Sequence, residues 1–435
     1  MIKTCNYPSK SADKIIDSII NRNLEVKEED SLEVTRIIEN VKKNGDKALM
    51  EYTNRFDSSE LTEKTIKVTN SEIEDAVKKV DKNFIRSLDR AATQIKAFHE
   101  NESCKSWITA KKKGRITGQL VNPVEAAGVY VPGGRSGDTP LVSSVLMGVI
   151  PARIAGVKNI AIATPPRKDG TINPHILAAA KRVGVDNIYK VGSAWAIAAL
   201  AYGTETIPKV NVIVGPGNIY VTIAKKIVSG TVGIDMIAGP SEILVIADST
   251  ANPDFIAADL LSQAEHDELA SSILVTDSTK IAEAVKGCLK KQIENLGRKE
   301  IAKKSISNYG AIIITKQIDS AVNLSNMIAP EHLELQVENP FDYLGQIKNA
   351  GAVFLGHHTP EAVGDYVAGP NHVLPTAGTA RFSSALSVDR FIKKTSIIHY
   401  SKKAFQEEAD DIIRLADTEG LDAHSNSVKI RLMAS

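Results

Sequence analysis

Glu331 and His332 stand side by side in APEHLEL (329–335), after a proline turn and ahead of a short apolar strand. A carboxylate beside an imidazole suits proton transfer near neutral pH, because the imidazole titrates there and burial tunes the carboxylate. In LLSQAEHD (260–267), Gln263 and His266 are three residues apart, so on a helix they share one face and could grip one ion together. The stretch GHHTPEAVGDYVAGPNHVLPT (356–376) is too rich in turn residues to be core, which leaves Asp365 and His372 free to converge on a site. Glu419 and His424 follow in EGLDAHSNSV (419–428). Singly, each group also has an ordinary reading: helical Gln and His are more often surface groups, and helical tails usually end in solvent. Together, Gln, His, Asp and His offer nitrogen and oxygen donors without sulfur, a set suited to zinc or a similar divalent ion with room left for substrate. A structural zinc site would more often be closed by four Cys or His.

Two glycine turns are the other chemical candidates. VYVPGGRSGDTP (129–140) runs from a strand into a turn with two adjacent glycines and IVGPGNIYVTIAKK (213–226) from a strand into Gly215-Pro216-Gly217-Asn218, where backbone amides can approach a phosphate or ribose. The second resembles the start of a dinucleotide fingerprint but has Tyr220 where a third glycine would stand. Either turn could equally be purely conformational.

The elements that must carry these residues are legible as apolar runs. AAGVYV (126–131), NIAIAT (159–164), NIYKV (187–191) and VNVIV (210–214) alternate with helical candidates near 140–156, 173–184, 194–202 and 218–229. The same rhythm resumes in ILVIAD (243–248), SILVTD (272–277), GAIIIT (310–315) and GAVFLG (351–356). Strand-helix alternation at this spacing predicts parallel sheets covered by helices, hence two α/β units in tandem with a hinge at 237–242. Residues 1–110 read as helical, and 404–433 as charged helices of a tail or arm.

Composition excludes several classes. Over 435 residues, 53 Lys and Arg against 52 Asp and Glu leave a net charge of +1, without the basic excess of a nucleic-acid binder. The apolar stretch 145–165 is broken by Pro151, Arg153 and Lys158, so no membrane span is expected. Without an apolar N-terminal leader, the cytoplasm is the expected location. Cys5, Cys104 and Cys288 are too scattered for a disulfide framework or thiolate zinc site.

The stretches VYVPGG, AIAALAYGTETIP (196–208), VGPGN, IDMIAGPSEILVIAD (234–248), DLLSQAEHD, APEHLEL, GDYVAGPNHVLPT and AHSNSV resemble histidinol dehydrogenases, in the family's order and spacing. The resemblance is strong from about residue 120 to the C-terminus and loose over the first hundred. It implies an NAD-dependent, zinc-containing enzyme that oxidises L-histidinol through L-histidinaldehyde to L-histidine, the last steps of histidine biosynthesis. It also implies two Rossmann-like units similar to aldehyde dehydrogenase, with arms that interlock in a homodimer sharing its active sites. On this chain the zinc ligands would be Gln263, His266, Asp365 and His424, and the proton-transfer pair Glu331 and His332. The zinc ligands and His332 would also contact substrate, held additionally by Ser241, His372 and Glu419. Tyr130 and Asn218 would meet the cofactor. Glu419 and His424 would reach the site from the other subunit. The implied domains are an N-terminal arm (1–25), a catalytic domain (26–129 and 243–385), a cofactor domain (130–242) and a C-terminal arm (386–435).

One motif departs from the family. Where it commonly reads Gly-Gly-Ala-Gln, this chain has Gly192-Ser193-Ala194-Trp195. An indole cannot repeat an amide's hydrogen bonds but can stack on a nicotinamide or ribose face, so Trp195 stays a candidate cofactor contact. Two rival readings remain: a dehydrogenase of the same fold acting on another small amino or sulfonated alcohol, and a catalytically silent binding protein.

Overall fold

The computed structural model describes residues 2–21, 27–58, 61–133 and 139–433. Residues 134–138 of the first glycine turn and 22–25 of the expected N-terminal arm lie outside the described residues. The chain forms two compact units: residues up to Glu102 together with Glu125–Phe391, and Ser103–Val124 together with the segment from Ile392 onward.

The larger unit contains two parallel sheets. One has six strands, β1 (Lys3–Asn6), β9 (Glu242–Ala247), β10 (Ser271–Thr276), β11 (Gly310–Ile314), β12 (His332–Gln336) and β13 (Ala352–Leu355), in the order β1-β11-β10-β9-β12-β13. Its central strands β9, β10 and β12 are buried at every residue; β9 and β10 accordingly read as mainly apolar runs, whereas β12 alternates polar and apolar residues and buries His332, Glu334 and Gln336 as well. The edge strand β1 was not legible among the N-terminal helices. Its four residues, KTCN, carry no period-two pattern, and only pairing with β11, Lys3 opposite Ala311, makes them a strand.

The second sheet comprises β4 (Ala126–Tyr130), β5 (Asn159–Thr164), β6 (Ile188–Lys190), β7 (Val212–Val214) and β8 (Gly233–Ile234), in the order β6-β5-β4-β7-β8. All pairs are parallel, and the connecting helices Val142–Ala155, Pro174–Arg182, Ser193–Tyr202 and Ile219–Val228 match the expected positions to within a few residues. The strand order reverses between β4 and β7, so this is a doubly wound sheet with its switch point there. The switch point is tight: a β-carbon on Gly215 would come within 2.1 Å of the Tyr130 carbonyl oxygen, and Gly215 has φ +114°. No other residue type fits that approach without parting the strand ends.

A buried ion pair fastens the same turn. Lys225, on the helix Ile219–Val228, pairs with Asp235 and donates to the Gly215 carbonyl at 3.0 Å. Asp235 also accepts from the Gly215 and Met236 amides, each at 2.7 Å.

The smaller unit is an antiparallel sheet, β2 (Trp107–Lys112), β3 (Arg115–Pro123) and β14 (Ile392–Tyr400), in the order β14-β3-β2, followed by the helices Lys402–Thr418 and Asp422–Met433. The two helices were expected; the strands were not. Their residues are mostly exposed and mix polar with apolar types, leaving no buried apolar face to mark them, and the pairing of β3 with β14 joins segments far apart in the chain. Residues 103–124 therefore belong with the C-terminal segment, although sequence placed them in the catalytic domain. Among the described residues no helix is long and apolar enough to cross a membrane.

Candidate active site

Seven of the residues singled out in sequence line one cavity of about 390 Å³ in the larger unit: Ser241, Gln263, His266, Glu331, His332, Asp365 and His372. Four structural elements deliver them. Ser241 precedes β9, Gln263 stands in the last turn of the helix Pro253–Ala264, His332 opens β12, and Asp365 lies on the helix Glu361–Tyr366. His266 falls just beyond its helix rather than on it, but its amide still donates to the Gln263 carbonyl at 3.1 Å, which keeps both residues in one turn. The region 356–376 is likewise not all loop, since a six-residue helix spans Glu361–Tyr366.

The Glu331–His332 pair is organised by the backbone of one residue. The Glu242 N–H donates to Glu331 Oε2 at 2.9 Å, and the Glu242 carbonyl lies 3.0 Å from His332 Nδ1. A carbonyl only accepts, so Nδ1 carries the proton and Nε2 keeps its lone pair. β9 and β12 hold this arrangement in register, His332 opposite Ile243. Upstream the chain enters through Ala329 at φ +54°, and Gly351 is required because a β-carbon there would lie 2.5 Å from the Glu331 carbonyl oxygen. Glu331 and His332 do not hydrogen-bond each other, with 3.7 Å between Oε2 and Nδ1.

Burial dominates the electrostatics. It pushes the His332 imidazole down to about 4, with His266 and His372 adding repulsion, and the His372 imidazole also to about 4. His266 is lowered for the same reason. Burial raises the Glu331 carboxyl well above its ordinary range, helped by Glu242, Glu361 and Asp365, and lifts Asp365 to about 6. The imidazoles are thus neutral at pH 7, the form in which histidine serves as a base or metal ligand.

One acid was missed in sequence. Glu361 is buried, raised well above its usual range by burial with Asp365 beside it, and its Oε1 lies 3.8 Å from His332 Nε2. Its spacing to Asp365, four residues on one helical turn, was the available signal, hidden by the Gly- and Pro-rich context. With its amide nitrogen turned toward Glu361, Gln263 donates to both carboxylate oxygens, at 3.0 and 2.7 Å, and its own oxygen accepts from the Glu242 N–H at 2.9 Å.

His332, Glu361 and Asp365 have potential ligand atoms within 4.8 Å of one another. Gln263 and His266 border the same cavity, and His372 Nε2 is buried with no hydrogen-bond partner among the described residues. Crowded carboxyl groups beside neutral imidazoles fit a divalent cation, which would offset the cost of burying the carboxylates. The compact triad shares only Asp365 with the ligand set read from sequence. Glu419 and His424 belong to the smaller unit, where both are exposed.

Three cofactor candidates occupy the doubly wound sheet. Tyr130 is buried at the end of β4, and its hydroxyl accepts from the Ser193 N–H at 3.1 Å. Asn218 caps the helix Ile219–Val228 by accepting from the Val221 N–H at 3.1 Å. Trp195 is only 5% exposed and stacks on Tyr52 and Phe56, with ring centroids 6.0 and 5.6 Å away. Its indole is a core side chain and does not line the cavity, whose wall includes Gly215, Pro216 and Gly217.

Comparison with known proteins agrees over nearly the whole chain. Residues 20–432 match the family model described as histidinol dehydrogenase. The histidinol dehydrogenase of Clostridium acetobutylicum is 53% identical over 431 residues, 99% of either chain, and that of Listeria innocua 56% identical over 399 residues, 92% of either. The crystal structure of histidinol dehydrogenase from Elizabethkingia anophelis superposes with a TM-score of 0.93 at 42% identity, covering 100% of this chain and 98% of that one. A chain so similar in sequence, length and fold belongs to the histidinol dehydrogenase family.

Proposed function

We propose that this oxidoreductase of histidine biosynthesis converts L-histidinol to L-histidine in two NAD-linked oxidations at a zinc-containing site formed between two subunits. The observation that carries the reading is the Glu242 backbone, whose N–H holds Glu331 and whose carbonyl holds His332, with His332 Nε2 left as an unprotonated base beside the cavity's carboxylates.

Gln263, His266 and Asp365, with His424 of the partner subunit, would hold the metal. A zinc ion bound there would act as a Lewis acid and template for the substrate's amine and imidazole nitrogens. NAD, when bound, would accept the hydride of each oxidation. His332 Nε2 takes the proton of the substrate hydroxyl in the first oxidation. Glu331 removes a proton from the water that adds to the aldehyde carbon before the second. Ser241 and His372 line the same cavity and, with Glu419 of the partner subunit, would position the substrate. Residues 26–102, 125–129 and 243–385 would form the catalytic domain and 130–242 the cofactor domain, while 1–25 and 386–435 would act as arms, the latter together with 103–124. Large apolar side chains left half or more exposed in the smaller unit, among them Ile108, Ile398, Leu415 and Met433, support pairing with a second copy.

The test is spectrophotometric. Two NADH per L-histidinol, lost on chelation and restored by zinc, would support the reading; NAD reduction that survives complete removal of metal would overturn the zinc assignment.

Asn218 separates helix capping from cofactor contact. Aspartate at 218 preserves the cap, so Asn218→Asp will leave thermal stability nearly unchanged, whereas Asn218→Ala will lose about 1 kcal/mol. If the amide also meets NAD, both variants raise the KM for NAD; an unchanged KM in both leaves Asn218 as a cap alone.

A further inference from the structure

β12 carries a buried acid that the proposed chemistry does not use. His332, Glu334 and Gln336 alternate with Leu333 and Leu335, so the three polar side chains share one face of the strand while the leucines pack into the core on the other. Glu334 is only 1% exposed. Its Oε1 accepts from the Glu361 N–H at 3.0 Å, and its Oε2 accepts from Gln336 Nε2 at 2.9 Å. The same Gln336 nitrogen donates to Asp259 Oδ2 at 2.7 Å, and Asp259 stands one turn before Gln263 on the helix Pro253–Ala264. Glu361 opens the helix Glu361–Tyr366, whose cap residue, Pro360, makes no side-chain bond to it. The first N–H of that helix is therefore taken up by Glu334 from the neighbouring strand.

An acid at this depth costs stability. Burial raises the Glu334 carboxyl well above its ordinary range, with Asp259 beside it adding to the rise, and an apolar side chain of similar volume would carry no such cost. What the carboxyl supplies is register. It lies two residues from His332 on the same strand face, and the helix it holds carries both Glu361, whose Oε1 is 3.8 Å from His332 Nε2, and Asp365 one turn later. One strand thus places the base directly and the acids opposite it through a single side chain.

We infer that Glu334 is a positioning residue: through the Glu361 N–H it fixes the helix bearing Glu361 and Asp365 against His332, and so sets the geometry of the metal and proton-transfer site. This rests on the zinc reading above, in which Asp365 is a ligand. Glu334 touches neither substrate nor metal in this role, and its contribution is to function at the expense of fold stability.

The experiment compares the intact wild type with Glu334→Leu, which removes the acceptor, and Glu334→Gln, which keeps one. Zinc affinity is measured by competition with a chelator, kcat with L-histidinol at saturating zinc and NAD, and the fold by thermal melting. Glu334→Leu is expected to melt no lower than the wild type, because it replaces a buried acid by an apolar group. It should nevertheless bind zinc about 10- to 100-fold more weakly, the usual effect of losing a group that orients a ligand, and its kcat should fall about 100-fold through misplacement of the acids. Glu334→Gln should restore most of both losses, since its amide oxygen can still accept from the Glu361 N–H. Wild-type zinc affinity and kcat in Glu334→Leu would overturn the inference, as would a glutamine variant impaired as severely as the leucine one. A merely structural role would lower the melting temperature and leave zinc affinity and kcat of the folded protein unchanged, which overturns it equally. A wild type that binds no zinc overturns the zinc reading and this inference together.

Discussion

Replacing His332 by asparagine is expected to lower kcat/KM for L-histidinol by about 10²- to 10⁴-fold, the usual contribution of a positioned general base. The side chain is fully buried, its Nδ1 proton is committed to the Glu242 carbonyl, and its basic Nε2 is therefore fixed in direction as well as in protonation state. Asparagine can still donate to that carbonyl but has no nitrogen lone pair to offer the substrate. Metal content measured on the purified variant decides between two roles, because His332 also belongs to the compact triad with Glu361 and Asp365. Intact metal with lost turnover identifies the base; loss of metal would make His332 a ligand and remove it from the proton-transfer role. Glu331→Gln keeps an acceptor for the Glu242 N–H and loses only the ability to take a proton. It should stall water addition to the aldehyde, so that product analysis finds one NADH per histidinol; two NADH at the wild-type rate would free Glu331 of that task.

Asp235→Asn should cost about 3–5 kcal/mol of stability, the range for breaking a buried ion pair from one side. The reason lies in what remains. Lys225 and Asp235 have almost no exposed side-chain surface, and in the variant the ammonium keeps only the Gly215 carbonyl as a named partner. The double variant Lys225→Met/Asp235→Asn removes the stranded charge and should recover much of the loss, since replacing both partners of a buried pair is often neutral. Chemical denaturation of the intact chain measures both. Equal stability of the single and double variants would show that the ammonium is not what the single variant strands. Because the pair holds Gly215 at the cavity wall, the single variant should also raise the KM for the cofactor.

How much was legible differs by element, and burial explains the difference. β4, β5, β9, β10 and β11 were readable as apolar runs because parallel strands covered on both faces need apolar residues at nearly every position. β1, β2, β3 and β14 were not, since an edge strand of four residues and an exposed antiparallel sheet place no such demand on composition. Among the site residues, Glu331, His332, Gln263 and Asp365 could be named because their types and spacings are chemically unusual. Glu361 looked ordinary in its Gly- and Pro-rich stretch, and only its burial beside other acids distinguishes it.

Residue types and local periodicity were enough for the α/β class, the absence of a nucleic-acid or membrane surface pattern, and the donors available for chemistry. Tertiary structure alone decided which nitrogen of the His332 imidazole keeps its lone pair and which acids crowd around it. Those properties depend on the backbone of Glu242, a helix turn and a strand brought together from remote parts of the chain. Local sequence encodes each piece, but distance and exclusion of water, which set protonation and reach, exist only once the strands β9 and β12 lie side by side.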